Sequence, residues 1–176
     1  MPGVCRARLE ASMTGEIMKR VLLMAALLCA ATPVIAQTTA PAKLYSSAAE
    51  VEQAMARAAA RHQGGGANTI EVLATVGTYP VQLEYRTGNT APSVHTAQAE
   101  LIYVYEGGCT MIVGGTLVNP RPNGANVSGT AVTGGSPRKL AKGDYILVPA
   151  GAPHQVTDVE GGRFVSITLH MPMQAQ

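Results

Sequence analysis

Among the residues in the second half of the chain whose side chains can bind metal ions are His95, Glu100 and His154. Two imidazoles and one carboxylate that converge in a fold form the two-histidine, one-carboxylate set of non-haem iron sites, which leaves coordination positions open for a substrate. Mn, Ni and Zn accept the same nitrogen and oxygen donors. If the fold brings the three residues together, they are therefore compatible with a divalent transition metal (Fe, Mn, Ni or Zn), and the residue types select none of the four.

A stretch containing proline and glycine precedes the second histidine. Gly143 is followed by Pro149, Gly151 and His154, and Asp158 comes four residues after the histidine. Proline presets a turn and glycine supplies the positive φ that reverses the chain, so this spacing aims the histidine and binds nothing itself. The stretch resembles the second sequence motif of the cupins, in which asparagine usually occupies the position of Asp158.

The stretch around His95 resembles the first cupin motif. That motif has two histidines two residues apart, a glutamate five residues after the second and a glycine seven residues further on. His95, Glu100 and Gly107 keep the spacing, but Ser93 occupies the position of the first histidine. A second alignment takes His95 as the first histidine and places Ala97 at the second. One imidazole of the family pattern is missing in either alignment.

The resemblance to cupins covers roughly residues 70–170 and carries expectations about fold, site and function. The implied fold is all-β, a double-stranded β-helix, also called the cupin jelly-roll barrel. The implied metal ligands are His95, Glu100 and His154. The implied function is the turnover or binding of a small molecule at the metal, with oxygenase or isomerase chemistry. The family also implies a homodimer, with the helix at residues 48–62 or an edge strand at the interface.

The same residues have less specific interpretations that the sequence leaves open. A histidine in a half-buried strand is commonly a hydrogen-bonded structural group, and Glu100 alone would be an ordinary carboxylate at the start of a strand. Ser93 in place of histidine is compatible with a degenerate metal site and a small-molecule-binding protein without turnover. A structural barrel whose lumen is filled by side chains is a third interpretation. The sequence identifies no catalytic residue, although Glu100, if it is not a ligand, or His170, if it reaches the pocket, could act as a general base.

The hydrophobic pattern predicts the elements that must position these residues. Ser47 and Glu50 form a capping box that begins an Ala-rich helix, and we assign residues 48–66 to this helix and a glycine linker. From Thr69 onward, short apolar segments alternate with Gly, Pro and Asn turns, as is typical of a β-barrel. Residues 67–173 are therefore predicted to form the barrel. The predicted strands lie at residues 70–74, 80–85, 101–105, 111–113, 145–148, 155–159 and 164–170.

Side-chain alternation predicts which residues share a face of the last two strands. His154, Val156 and Asp158 are expected on one face, because side chains two residues apart point to the same side of a strand. The same rule separates polar from apolar residues in the last strand. Phe164, Ser166, Thr168 and His170 are expected on one face, opposite Val165, Ile167 and Leu169.

Residues 1–36 are predicted to be an N-terminal extension that ends in a signal peptide at residues 18–36. Basic Lys19 and Arg20 precede an apolar run at residues 21–31, and small residues follow as a cleavage site. The run is too short to span a bilayer, which needs about 20 residues. Residues 37–47 are predicted to be a flexible leader. We therefore expect a secreted protein of the bacterial periplasm, with no membrane association after cleavage.

The predicted mature chain has balanced charge and a single cysteine. Removing residues 1–36 leaves nine basic and nine acidic residues, and a neutral chain of this kind argues against a nucleic-acid partner. The expected partner is a small molecule. Cys109 is the cysteine that remains, so no internal disulfide can form. An inert buried thiol is the favoured interpretation of Cys109.

Overall fold

The computed structural model describes residues 42–173, and the predicted extension and signal peptide lie outside the described residues. The described part contains one helix, α1 (Ala48–Arg61). Its strands are β1 (Thr69–Val76), β2 (Tyr79–Arg86), β3 (Ser93–His95), β4 (Gln98–Val113), β5 (Thr116–Val118), β6 (Arg121–Asn123), β7 (Asn126–Ser128), β8 (Ala131–Thr133), β9 (Ser136–Ala141), β10 (Tyr145–Val148) and β11 (His154–Pro172). Within this range, no helix has the length and apolar character needed to cross a membrane.

The strands form an antiparallel barrel around two long central strands. β4 and β11 pair along almost their whole length, from His154 opposite Val113 to Pro172 opposite Gln98. β2 pairs with the second half of β11, while β9 and β10 pair with opposite halves of β4. β3, β7 and β6 extend the sheet, and β5 and β8 form a separate pair. The predicted fold class, an all-β jelly-roll barrel with one N-terminal helix, is confirmed.

Helix α1 begins at the predicted capping box. The Ser47 side chain accepts a hydrogen bond from the backbone N–H of Glu50, and the Glu50 carboxylate accepts one from the N–H of Ser47. A cap of this kind contributes about 1 kcal/mol. The buried face of the helix packs on the outer surface of the sheet. The residues of this contact are Ala54, Ala58, Leu73, Leu83, Tyr85 and Val165.

At two places in the chain, two strands that were predicted separately form one longer, bent strand. The segments at residues 101–105 and 111–113 both belong to β4, and those at 155–159 and 164–170 both belong to β11. The bend contains glycines because the two backbones approach closely there. Gly107 has φ +77°, and a Cβ at that position would lie 2.1 Å from the carbonyl oxygen of Arg163. The glycine of the first motif therefore permits the bend.

The prediction that Asp158 shares a strand face with His154 and Val156 is wrong. Asp158 is exposed, whereas Val156 is buried. Its φ of +48° interrupts the extended backbone at the bulge of β11, so alternation fails from this residue onward. Asparagine and aspartate tolerate the left-handed conformation better than most residues. This gives a backbone reason for a short polar residue at this position, and the backbone N–H of Asp158 is held by the Asn89 side chain at 2.8 Å.

A second apolar cluster fills part of the barrel interior. Its buried members are Ile102, Val104, Cys109, Met111, Leu140, Val148, Val156 and Phe164. Ile102, Met111 and Val156 also line a cavity of about 590 Å³. The lumen is therefore not completely filled by side chains, which argues against a purely structural barrel.

Candidate metal centre

The three predicted ligands lie together at the wall of this cavity. His95 ends β3, Glu100 lies near the start of β4, and His154 begins β11. One ligand atom from each of the three residues lies within 4.8 Å of the others. The structure thus contains a His/Glu group that could hold a metal ion.

Local turns and strand register position these side chains. The Pro149–Gly151 turn closes with a hydrogen bond from the N–H of Ala152 to the Pro149 carbonyl. The N–H of Gly151 donates to the carbonyl of His95 at 2.9 Å, which ties the turn of the second motif to the strand of the first. His154 is in register with Ser93 across the β3–β11 pair.

The carboxylate of Glu100 is the centre of the group. Its Oε2 lies 3.2 Å from Nε2 of His154 and 3.3 Å from Nε2 of His95. Although Glu100 is only 3% exposed, Oε2 accepts no hydrogen bond from any described residue. Buried carboxylate oxygens normally have partners, because an unpaired one costs stability. A cation shared by the carboxylate and both imidazoles would resolve this, so the donor set fits a divalent metal.

The electrostatic environment keeps Glu100 ionised. Burial, the largest single effect, would raise its pKa, but attraction to the imidazoles of His154 and His95 outweighs burial and holds the pKa far below its usual value. The pKa of His95 is raised, mainly by its contact with Glu100. An ionised carboxylate beside imidazoles is the protonation state that metal binding requires on the oxygen side.

The hydrogen bond at the far nitrogen of each histidine directs Nε2 toward Glu100. Nδ1 of His95 donates to Oδ1 of Asn126 at 3.1 Å. Nδ1 of His154 lies 3.4 Å from the carbonyl oxygen of Ala152. With Nδ1 protonated, Nε2 carries the lone pair that a metal would use. Asn126 was not a predicted site residue, and it reaches His95 through the pairing of β7 with β3, which no local pattern indicates.

His170 also reaches the cavity. It is in register with Glu100 across the β4–β11 pair, and its Nε2 lies 3.3 Å from Nε2 of His95 and 3.7 Å from Oε1 of Glu100. Burial lowers the pKa of His170, which favours the neutral imidazole. The structure therefore places His170, one of the two weak candidates for a catalytic base, beside the three predicted ligands.

Comparison with known proteins returns distant structural neighbours only. No family model matches the chain, and no curated protein matches it. A Bacillus halodurans protein of known structure aligns with a TM-score of 0.49 and 17% identity over 80% of this chain and 87% of its own. The cupin domain of Schizosaccharomyces pombe Cnp3 aligns with a TM-score of 0.45 and 9% identity over 60% of this chain and 65% of its own. KdgF from Halomonas sp. aligns with a TM-score of 0.45 and 16% identity over 65% of this chain and 85% of its own.

The cavity wall is mixed in character. Its polar side chains include Gln82, Glu84, Arg86, Gln98, Asn126 and Ser128, in addition to the residues of the candidate metal centre. Arg86 donates hydrogen bonds to Glu84 and to Ser166, so the buried Glu84 carboxylate is paired. The volume lies in the range of small-molecule sites, and the predominance of polar residues in the wall suits a polar ligand.

His62 and Cys109 do not line the cavity. His62 follows the helix, and its ring nitrogens contact the hydroxyls of Thr69 at 3.0 Å and Thr87 at 2.8 Å. Both nitrogens are thus used structurally. Cys109 is fully buried, and burial raises its pKa to about 12. A thiol of that pKa is protonated at neutral pH, as expected of an inert core residue.

Proposed function

We propose that this protein is a metal-binding cupin that acts on a small polar molecule at a divalent cation held by His95, Glu100 and His154. The observation that carries the proposal is the buried Oε2 of Glu100, which has two imidazole Nε2 atoms within 3.3 Å and no hydrogen bond from the described residues. The reaction classes implied by the resemblance to cupins are oxygenase and isomerase chemistry.

Different residues of the chain would have different roles at such a site. A bound divalent cation would act as a Lewis acid that polarises an oxygen atom of the ligand. Asn126 would hold the His95 ring in the tautomer that presents Nε2, and the Pro149–Gly151 turn would hold His154. The apolar floor formed by Ile102, Met111 and Val156 would exclude water from one side of the ligand.

The experiment is a measurement of metal content on protein purified without chelator or an affinity metal. We expect about one equivalent of Fe, Mn, Ni or Zn in the unaltered protein, and none in the folded His95→Ala and His154→Ala variants. His62→Ala is the matched control, because it removes a histidine that lies outside the cavity and hydrogen-bonds to two threonine hydroxyls. This variant should keep its metal. Full metal content in both cavity variants would refute the proposal.

A non-catalytic binding protein is the second candidate function. Ser93, which replaces an imidazole of the family pattern, favours it. A metal-free protein that nevertheless binds small polar molecules would support this alternative, and a Ser93→His variant that gains metal would identify the original site as degenerate. Turnover of any oxygenase or isomerase substrate by the metal-loaded protein would exclude it.

Location and assembly are further parts of the proposal. The basic and apolar pattern of residues 18–36 supports export to the periplasm, and N-terminal sequencing of the exported protein should begin at Gln37. The resemblance to cupins supports a homodimer. The edge strand β10, which exposes Tyr145 and Leu147, is one surface that a second copy could cover. Light scattering should give twice the mass of one chain.

A further inference from the structure

His170 is the histidine of the cavity that neither cupin motif contains. It enters the site because β11 bends back on itself. His170 lies sixteen positions after His154, which would be about 50 Å in a straight strand. The bulges of β11 between Thr157 and Ser166 instead bring both histidines to Glu100. One strand therefore supplies two imidazoles to the same carboxylate.

The geometry points to His170 as a fourth metal ligand, which replaces the imidazole that the chain lacks at Ser93. This inference rests on the proposed function, namely that His95, Glu100 and His154 hold a divalent cation. It assigns to the chain a site of three imidazoles and one carboxylate, in which the third imidazole comes from a different strand than the cupin motif specifies. Two positions of an octahedral ion would then remain open for the small molecule.

The spacing of the donor atoms supports this assignment. Metal–nitrogen bonds of about 2.0–2.1 Å place neighbouring ligand atoms about 3.0 Å apart in an octahedron and about 3.4 Å apart in a tetrahedron. The distance between Nε2 of His170 and Nε2 of His95 is 3.3 Å, and the two imidazole distances to Oε2 of Glu100 are 3.2 and 3.3 Å. His170 thus stands at the distance of a neighbouring ligand from His95, but it is 3.7 Å from Oε1 of Glu100 and lies outside the compact group formed by the other three residues. Binding the same cation therefore requires its ring to move toward His154.

Hydrogen bonding at His95 leads to the same conclusion. In the neutral imidazole of His95, Nδ1 donates to Asn126 and Nε2 carries a lone pair, which faces Nε2 of His170. Without metal, His170 can donate its N–H to this lone pair. Once His95 binds the cation, the lone pair is used, and His170 keeps a favourable contact at this distance by binding the same cation.

Ser93 is the competing candidate for the fourth position. Its Oγ lies 3.3 Å from Nε2 of His154, which is also a ligand-to-ligand distance. A neutral hydroxyl is a weaker ligand for these metals than an imidazole. In the metal-free protein, the Ser93 hydroxyl therefore donates a hydrogen bond to Nε2 of His154. In the metal-loaded protein this hydroxyl is free to contact the small molecule.

The test compares metal binding in the unaltered protein with binding in His170→Ala, Ser93→Ala and the double variant Ser93→His/His170→Ala. Affinity is measured by competition with a chromophoric chelator, using Zn²⁺ as the probe. Circular dichroism in chelator establishes that each variant is folded. In the Co²⁺-loaded protein, the hyperfine-shifted N–H protons in the NMR spectrum count the bound imidazoles.

We expect His170→Ala to lose at least about 100-fold in affinity, more than the roughly 10- to 100-fold cost of losing a group that only orients a ligand. Ser93→Ala should bind as tightly as the unaltered protein, and Ser93→His should restore affinity in the His170→Ala background. The unaltered protein should show three shifted N–H protons, and His170→Ala two. Unchanged affinity in His170→Ala, or two shifted protons in the unaltered protein, would overturn the inference while leaving the three-ligand proposal intact. Absence of metal from the unaltered protein would overturn both.

Discussion

The two faces of the β2–β11 strand pair differ sharply although the same strands form both. On the outer face, Val165 lies opposite Tyr85 and Ile167 lies opposite Leu83, and these side chains pack against α1. On the inner face, Ser166 lies opposite Glu84 and Thr168 opposite Gln82. Glu84, Ser166 and Thr168 are each at most 3% exposed, so the inner face buries polar groups.

Because of this difference, the apolar outer face contributes to the stability of the fold, whereas the polar inner face is available for binding. Burying a large apolar side chain stabilises the fold by about 1.5–3 kcal/mol, whereas burying polar groups costs stability unless they are well paired. Alternate residues of one strand can therefore serve opposite purposes. Substitutions of the apolar residues on the outer face are expected to change stability and leave metal binding intact. Substitutions of the polar residues at the metal centre are expected to change metal binding, with a smaller effect on stability.

The largest expected effect on stability is that of Leu83→Ala. Leu83 is fully buried between the sheet and α1, and its truncation should lower the free energy of unfolding by about 2–5 kcal/mol. Urea denaturation measures the loss, and metal content should stay unchanged. Leu44→Ala is the control, because Leu44 is 72% exposed and its truncation should cost no more than about 0.5 kcal/mol. Loss of metal from folded Leu83→Ala would show that the two faces are coupled.

Acid should destabilise the metal-free protein through Glu100. Its pKa is far lower in the folded state than the ordinary value of 4.5. The unfolded state therefore binds a proton first, and the stability that Glu100 contributes is present above pH 4.5 and declines as the pH falls toward the folded-state pKa. In chelator, the unaltered protein should lose stability more steeply than Glu100→Gln between about pH 5 and pH 3. Parallel pH profiles for the two proteins would contradict this expectation.

A smaller effect is expected from Tyr105→Phe, on the outer surface of the barrel. The Tyr105 hydroxyl donates a hydrogen bond to Glu52 of α1 at 2.6 Å. Removing this exposed bond should cost about 0.5–1 kcal/mol in thermal or urea denaturation. Tyr45→Phe, at a residue that is 72% exposed, serves as the control and should be neutral. A change in metal affinity in Tyr105→Phe would argue against the separation of the two faces.

The smallest effect is expected at Cys109, where we predict no reaction. With a pKa of about 12 and no exposed surface, its thiol should not be alkylated by iodoacetamide in the folded protein at pH 8. Mass spectrometry of the peptide that contains Cys109 measures the modification. The same peptide from urea-denatured protein should be labelled. Rapid labelling in the folded state would mean that the barrel core opens.

Features that depend on neighbours in the sequence were predictable. The capping box at Ser47 and Glu50 and the turn before His154 each involve residues within a few positions of one another, so their conformation follows from local sterics and hydrogen bonds. The period-two pattern likewise predicted the barrel and the faces of the last strand. It failed at Asp158, because a bulge depends on the partner strand and not on the bulged sequence alone.

The sequence by itself determined the residue types of the candidate site, their spacing within each motif and the all-β class of the fold. Only the tertiary structure decided which distant residues join that site. Asn126 reaches His95 across 31 positions, and His170 reaches it across 75. Such contacts follow from strand register and from the bends of β11, which are set by the packing of the whole barrel. Local patterns carry no information about them, because the same alternation of apolar and polar residues is compatible with many registers.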